Sequence, residues 1–585
     1  MRLTKTEFMQ GRTCHQRVVY QRDGIETRND DNKMMRELAE NGQIIHYLYR
    51  QHRRSALIGA SLEQLIAEAP HKSHEVELSA HGFEARADMI NITGRAITLV
   101  EVKSEAYPTD GNGGLIPLFT SRGEVSSAFS ELIADVAYQA LILEDMLATM
   151  KLQRPTPYQV NYELVLVHPR IQTPAQLLRQ TFDVYKGVVS HAGDWKPSQL
   201  LKMFTRVDVT DAVRMMMPSI DAERREMQRK LEQQEPPVLS SKCKSCEFRT
   251  TIVSEEPNGF LGCWRDMAFN YPHVLDVPNV HNVKINGEDA VSVLARQGKA
   301  TPVDLPADAL RPGYNNMQER VVRAFATDEE QQEPELREIL GRYAAPHAFI
   351  DVEAYSGPLS LWEGGRPYEI AAFQWSCHII DRNGTLLHYA WLHEGSEHPA
   401  VAFLTSMHDV LKSAGTVYIW SGYERTAVAH ALKAASAMYQ ELDADVRAWA
   451  SAFADSDNPN VVDMLELAKK YYVHPGARGS NSIKKVLDAI WNQHHRRFMP
   501  QFPEYYERHE GFISSPYLTL PVNYESSRLA TIRDGAQAMI GYQDMLHGSG
   551  RRSPEVRDNL RHALLEYCKL DTAAMVIIYQ QWMGI

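Results

Sequence analysis

Apolar residues recur along this chain in two rhythms, and the switches between them mark its elements. Residues 32–54 (NKMMRELAENGQIIHYLYRQHRR) and 126–150 (SSAFSELIADVAYQALILEDMLATM) carry the three-to-four spacing of amphipathic helices. Between them, 73–94 (SHEVELSAHGFEARADMINITG) predicts a hairpin. The apolar runs 96–106 (AITLVEVKSEA) and 161–169 (NYELVLVHP) predict buried strands. A charged helix is expected from 221, ending at Pro236-Pro237. From about 346 the pattern changes. HAFIDVEAY (347–355) is an apolar strand carrying carboxylates, and 370–381 and 388–394 read as following strands with Asn383-Gly384 turning between them. Helices then alternate with strands, and the chain closes on a long helix over 553–583.

These elements predict an α/β protein. At 585 residues it is too long for one hydrophobic core. Three segments are expected: a domain over 1–275, a linker or small bridging subdomain over 276–345, and a second domain over 346–585. The 44% hydrophobic and 23% charged content is ordinary for a globular protein. No run approaches the roughly 18 apolar residues of a membrane span. The N-terminus lacks the apolar centre of a signal peptide, so a cytoplasmic protein without a membrane partner is expected. The net charge of −12 excludes a generally basic nucleic-acid coat. Any surface that tracks phosphates must be a local groove. A G-x-x-x-x-G-K-[ST] loop is missing, which removes the simplest helicase and NTPase readings.

Candidate chemistry sits in three places. Glu101 and Lys103 are two apart on a predicted strand and share a face, with Asp88 on the strand before. Two carboxylates and a backbone carbonyl suit Mg²⁺ or Mn²⁺, and a lysine beside them would orient water or offset phosphate charge. Gln139 lies on the following helix and His46 on the preceding one. Cys243-Lys-Ser-Cys246 and Cys263 fall within 21 residues, a spacing at which thiolates bind zinc or an iron–sulfur cluster. Cys377 and Cys568 sit in apolar segments and read as buried core residues. Asp351 and Glu353 alternate on one strand face, and Tyr567 and Asp571 share a helix face.

The order Asp88, Glu101, Lys103, Gln139, with Glu77 ahead of it as a weaker addition, resembles the RecB-like branch of the PD-(D/E)xK nucleases, with Leu143 where that branch often has a tyrosine. The resemblance implies metal binding by Asp88 and Glu101, with His46 as a further ligand. One cysteine near the start and three after the nuclease core resemble the iron–sulfur members of that branch. This implies a [4Fe–4S] cluster on Cys14, Cys243, Cys246 and Cys263 tying the two ends of the domain together, with zinc as the alternative.

The Asp-x-Glu pair and the Tyr-x-x-x-Asp motif resemble the DnaQ-like (DEDD) exonucleases, which use a ribonuclease-H-like mixed sheet with flanking helices and two metals. The resemblance implies metal binding by Asp351, Glu353 and Asp571, with Tyr567 positioning the attacking water. Glu424 stands where that superfamily carries its second carboxylate, as Asp. Asp463 reads as a helix cap. HPGARGSNSIKKVL (474–487), RDGAQAM (533–539) and LLEYCKLDTAAMV (564–576) resemble a bacterial family of unknown function that joins these two domain types. A metal-dependent nuclease acting on single-stranded DNA or DNA ends is therefore expected, its second site a 3′→5′ exonuclease serving DNA or RNA. A nucleic-acid-binding scaffold with one degenerate domain is the alternative, motivated by Glu424. Nothing in the residues names a protein partner or chooses among repair, recombination and phage defence.

Overall fold

The computed structural model describes residues 1–28, 33–52, 57–67, 72–111, 113–150, 158–192, 200, 202–252, 257–310, 317–438, 441–509, 511–522, 529 and 531–585. Positions 32 and 53–54 of the expected first helix lie outside this set, as do 311–316 of the expected linker. The statements below concern the described residues. The chain is a mixed α/β structure with two main sheets.

The first sheet runs Leu57–Ile58, Lys72–Ala80, Phe83–Thr93, Ala96–Ala106, Gln159–Val167, Phe204–Asp208, and Leu3–Thr4 adds to Phe83–Thr93 in parallel. His81 and Gly82, both at positive φ, turn the first hairpin, as a two-residue connection requires. Phe83–Thr93 and Ala96–Ala106 are antiparallel, whereas Ala96–Ala106 and Gln159–Val167 are parallel. Parallel neighbours need a crossover, and helix Ser130–Thr149 supplies it. Its apolar side chains, Ile133, Ala137 and Ala140 among them, pack with Ile90, Ile97, Leu99 and Leu164 of the sheet. Helix Lys33–His52 covers the other side through Ile44, Ile45 and Leu48.

The second sheet has the order Leu386–Leu392, Ala371–Ile380, His347–Tyr355, Thr416–Ile419, Val461–Asp463. Its first three strands are antiparallel and the last two run parallel to His347–Tyr355. His347–Tyr355 is thus central and buried on both faces, which is why its sequence is almost continuously apolar. Gly384 at positive φ makes the turn expected at Asn383-Gly384. Helix Pro554–Met583, capped by the Ser553 hydroxyl, crosses one face of the sheet. Helices Ala400–Leu411 and Tyr423–Ala437 cover the other.

Three sequence boundaries move. The charged helix begins at Thr210 and ends at Glu232, running through Pro218, so the sequence caught only its polar second half. Residues between 274 and 310 share a core with Phe260 and Trp264, against which Cys243 and Cys263 pack. The division drawn at 275 therefore cuts through one small core. Leu336 and Leu340, placed in the linker, are buried in the core of the second sheet.

The two halves touch along the loop that follows His347–Tyr355. Leu359 is buried among Ile44, Val100 and Val102. Thr173 exchanges backbone hydrogen bonds with Gly364 and Gly365, each 2.9 Å. The Tyr368 hydroxyl donates to the carbonyl of Ser104 at 2.7 Å, next to Lys103. No helix is long and apolar enough to cross a membrane.

Candidate metal centres and the cysteine pocket

In the first half, Asp88, Glu101, Lys103, Gln139 and His46 converge as expected. The backbone N–H of Val102 donates to Asp88 Oδ2 at 2.7 Å, and His46 Nδ1 lies 3.3 Å from Asp88 Oδ1. Gln139 donates to Glu101 Oε2 at 2.7 Å, and Lys103 Nζ lies 2.9 Å from Glu101 Oε1. Two residues join them that sequence did not single out. Lys5 reaches Glu101 Oε1 at 2.8 Å and Asp135 Oδ1 at 3.1 Å, and Lys103 donates to Asp135 Oδ2. Asp135 was discoverable, since it stands four before Gln139 on one helix face. Lys5 had no local signal.

The result is a closed ring of two ammoniums and two carboxylates. Burial raises the Glu101 pKa, but Lys103 and Lys5 outweigh it and hold the carboxyl well below its ordinary range. Burial and the charge of Glu101 push Asp88 upward. Asp88, Glu101 and His46 do not bring three ligating atoms within 4.8 Å of one another. A cation entering here shares Glu101 with two lysines on Oε1 and with Gln139 on Oε2.

The four expected cysteines come together from three segments. Cys14 precedes helix Gln16–Arg22, Cys243 and Cys246 lie on and just after the turn Ser241–Ser245, and Cys263 is on helix Gly259–Trp264. All four line one pocket of about 620 Å³, counting its open mouth, and all are free thiols. Tyr20 Oη is 3.3 Å from Cys263 Sγ, and Gly262 makes this approach possible, because a Cβ there would meet Tyr20 Oη at 2.5 Å. Burial pushes the Cys263 thiol up to about 12. Four soft donors around one space suit a thiophilic group. No three of the sulfurs lie within 4.8 Å of one another, whereas a single tetrahedral zinc would need sulfurs about 3.8 Å apart.

In the second half, Asp351, Glu353 and Asp571 offer ligating oxygens all within 4.8 Å. The strand places the first two on one face, and helix Pro554–Met583 brings Asp571 across it. Burial and Asp571 push Asp351 up to about 7. Burial, Asp351 and Asp571 raise Glu353 well above the carboxylate range, and burial raises Asp571 too. Among the described residues Lys484 is the lysine whose charge pulls all three back down, and burial outweighs it. This crowding of buried like charges is the reverse of the first centre. It is what a cation would relieve.

Tyr517 donates to Asp571 Oδ1, and the Tyr567 phenol lies beside the same carboxylate. Gly535, at the start of helix Gly535–His547, sits where a Cβ would come 3.3 Å from Glu353 Oε2. Lys484 is 5.1 Å from the Tyr517 ring centre and 5.2 Å from that of Tyr567, on the carboxylate side. Cys568, expected to be merely buried, donates from Sγ to Asp351 Oδ2 at 3.2 Å. Its position three before Asp571 on one helix could have revealed it. Tyr517 and Lys484 come from a distant turn and helix and could not have been found that way.

Glu424 is buried at the first turn of helix Tyr423–Ala437, and its Oε2 has no hydrogen-bond partner. Burial and Asp351 raise its pKa well above the ordinary value. It faces the centre without belonging to the three-oxygen group. Asp463 caps helix Met464–Tyr471 through Leu465 and Glu466 N–H. A further group, Glu330, His474 and His494, also lies within 4.8 Å. There His474 Nδ1 accepts from Gly476 N–H at 3.1 Å, so a neutral ring carries its proton on Nε2 and has no lone pair left to ligate. Gln581 already donates to both Glu330 oxygens.

Residues 348–482 match a protein family described as a domain of unknown function, DUF2779. The matched stretch carries Asp351, Glu353, Glu424 and Asp463 and ends before Tyr567 and Asp571. No curated protein and no solved structure matches the chain.

Proposed function

We propose that this chain is a metal-dependent nuclease with two hydrolytic centres. The observation that carries the reading is the trio Asp351, Glu353 and Asp571, one half-buried and two buried carboxylates whose oxygens lie within 4.8 Å of one another, with Lys484 as the cation that acts on all three. Divalent ions there, Mg²⁺ or Mn²⁺, would polarise the scissile phosphate and acidify a water. Asp351, Glu353 and Asp571 would hold them. Tyr567 would orient the attacking water from the same helix face, and Lys484 would offset charge on the phosphate. The strand order third, second, first, fourth, fifth supports a ribonuclease-H-like, DnaQ-type exonuclease domain. Glu424 takes the remaining carboxylate place, and its unpartnered oxygen supports a role toward a second ion.

In the first half, the succession of helix, three antiparallel strands, crossover helix and parallel strand supports a PD-(D/E)xK domain. Asp88 and Glu101 would hold the ion there, with His46 beside Asp88, and Lys103 would meet the phosphate. Cys14, Cys243, Cys246 and Cys263, which line one pocket, would hold a [4Fe–4S] cluster, with zinc as the alternative. The substrate would be single-stranded DNA, DNA ends or RNA.

The test is digestion of end-labelled single-stranded DNA, double-stranded DNA and RNA with Mg²⁺ or Mn²⁺ by wild type, Lys103→Ala and Asp351→Ala. Each substitution should remove a different set of products. A variant that keeps every wild-type rate removes its centre from the reading. A wild type inert on all substrates leaves the nucleic-acid-binding scaffold.

A further inference from the structure

An acidic nuclease needs a local cationic surface to hold its substrate, and one pocket has that composition. It lies where the cysteine-bearing core meets the second half, and Arg28, Lys244, Arg249 and Arg478 line it together with Phe269 and Tyr271. Asp276 is the single carboxylate among its described lining residues, and Arg249 holds it at 2.8 Å. Phe269 is 61% exposed and Tyr271 64%, unusual for two aromatic side chains so close in sequence.

The pocket is built rather than incidental. Arg478 Cζ sits 4.6 Å from the Tyr271 ring centre, and its Nε donates to Tyr271 Oη at 3.3 Å. One ring face is thus backed by a guanidinium, and the residue stays 64% exposed. Arg478 itself adopts φ +52, a left-handed conformation that an arginine rarely takes. Gly479 follows at φ +67, and a Cβ there would lie 2.0 Å from the Asp276 carbonyl oxygen. The loop is therefore pressed onto the turn below, and this close approach holds Arg478 over Tyr271. Five residues beyond Gly479 is Lys484, at the second carboxylate centre.

We propose that this pocket is a binding site for single-stranded nucleic acid. Its guanidinium groups take successive phosphates, and a base stacks on the exposed Tyr271 ring and against Phe269, while Lys244, which donates to the Val277 carbonyl at 2.9 Å, adds positive charge from below. Cations that follow a backbone, interleaved with exposed rings, are how unpaired strands are gripped without sequence preference. The pocket would deliver a strand to the second centre, so the inference rests on the nuclease reading for its purpose, though not for its chemistry.

The experiment is fluorescence anisotropy of the full chain in EDTA, so that cleavage cannot intervene, with labelled oligo(dT), oligo(U), an abasic strand of equal length and a duplex. Tyr271→Ala and Phe269→Ala should each weaken oligo(dT) binding roughly tenfold while leaving the abasic strand nearly unaffected. Arg478→Ala should weaken both and lower the salt slope of binding by about 0.7. Tyr271→Phe, which keeps the ring, should bind as wild type does and so guards against a folding defect. Oligo(dT) and oligo(U) bound alike is the result expected of a site that stacks bases and counts phosphates. Duplex bound as tightly as the single strand, or all variants within twofold of wild type, would overturn the proposal. Binding lost in these variants with no cleavage by the wild type would leave this site standing and sink the nuclease reading instead.

Discussion

Glu101 is a buried and Asp351 a half-buried carboxylate in candidate metal centres, yet their surroundings drive them in opposite directions. Glu101 is already neutralised by Lys5 and Lys103. Lys5 therefore competes with any cation there. Lys5→Met, placed in an Asp351→Asn background to silence the other centre, should tighten Mn²⁺ binding on the order of tenfold in a calorimetric titration. An unchanged affinity would show that the lysine swings clear of the site without cost. At Asp351 burial and the charge of Asp571 outweigh the pull of Lys484, and its folded pKa is raised to about 7. A carboxyl whose pKa rises on folding contributes stability that is complete below its unfolded pKa of about 3.9 and lost as pH climbs through the folded value. Without metal, the wild type should therefore lose stability between about pH 4 and pH 8. Asp351→Asn should flatten that loss and be the more stable protein at pH 8, by roughly 2–4 kcal/mol. Mn²⁺ should reverse the order. Thermal melts across this range, with and without the ion, check both halves of the prediction.

Elements bring these residues together by short-range rules joined to long-range crossings. Helix Pro554–Met583 was readable from its pattern and its Ser553-Pro554 start, and the i, i+4 relation of Tyr567 and Asp571 followed at once. Its crossing of strand His347–Tyr355, which makes the trio, depends on packing in the second core. Helix Thr210–Glu232 shows the opposite case. Pro218 masked its first turns in the sequence, although the helix continues through it. The loop at Gly479 carries the sharpest local demand, a positive φ against a facing carbonyl. Gly479→Ala should destabilise the protein by at least about 2 kcal/mol and separate the loop from the turn at Asp276. Denaturant unfolding reads the first effect. A midpoint equal to that of the wild type would show that the loop has room to move.

At the scale of the whole molecule, the two halves share an interface that runs from the strand of Lys103 to the loop after Glu353. The cysteine pocket in turn joins the first 22 residues to the 239–310 core, across a long stretch of chain. A group bound by all four thiols would close that loop and restrict the unfolded state. Anaerobically purified wild type should contain iron and sulfide and absorb visible light. Cys14→Ser and Cys263→Ser should lose both and melt several degrees lower. Protein that carries stoichiometric zinc and no iron would replace the cluster with a single ion.

Residues close in sequence were legible because strand and helix periods fix which side chains share a face. Glu101 with Lys103, Asp351 with Glu353, Tyr567 with Asp571, and the Cys243–Cys246 pair all belong to that class, as do the two α/β segments and most strands. The resemblance of the two carboxylate sets to known nuclease families implied which distant residues would converge. What only the tertiary structure decided is what surrounds each centre. Lys5, Asp135, Tyr517 and Lys484 arrive from elements with no local reason to be there, and the Arg478–Tyr271 pair spans two parts of the chain. Periodicity specifies a face, but which faces meet depends on core packing over hundreds of residues. The charge balance of each centre, neutralised in one and crowded in the other, follows from that meeting alone.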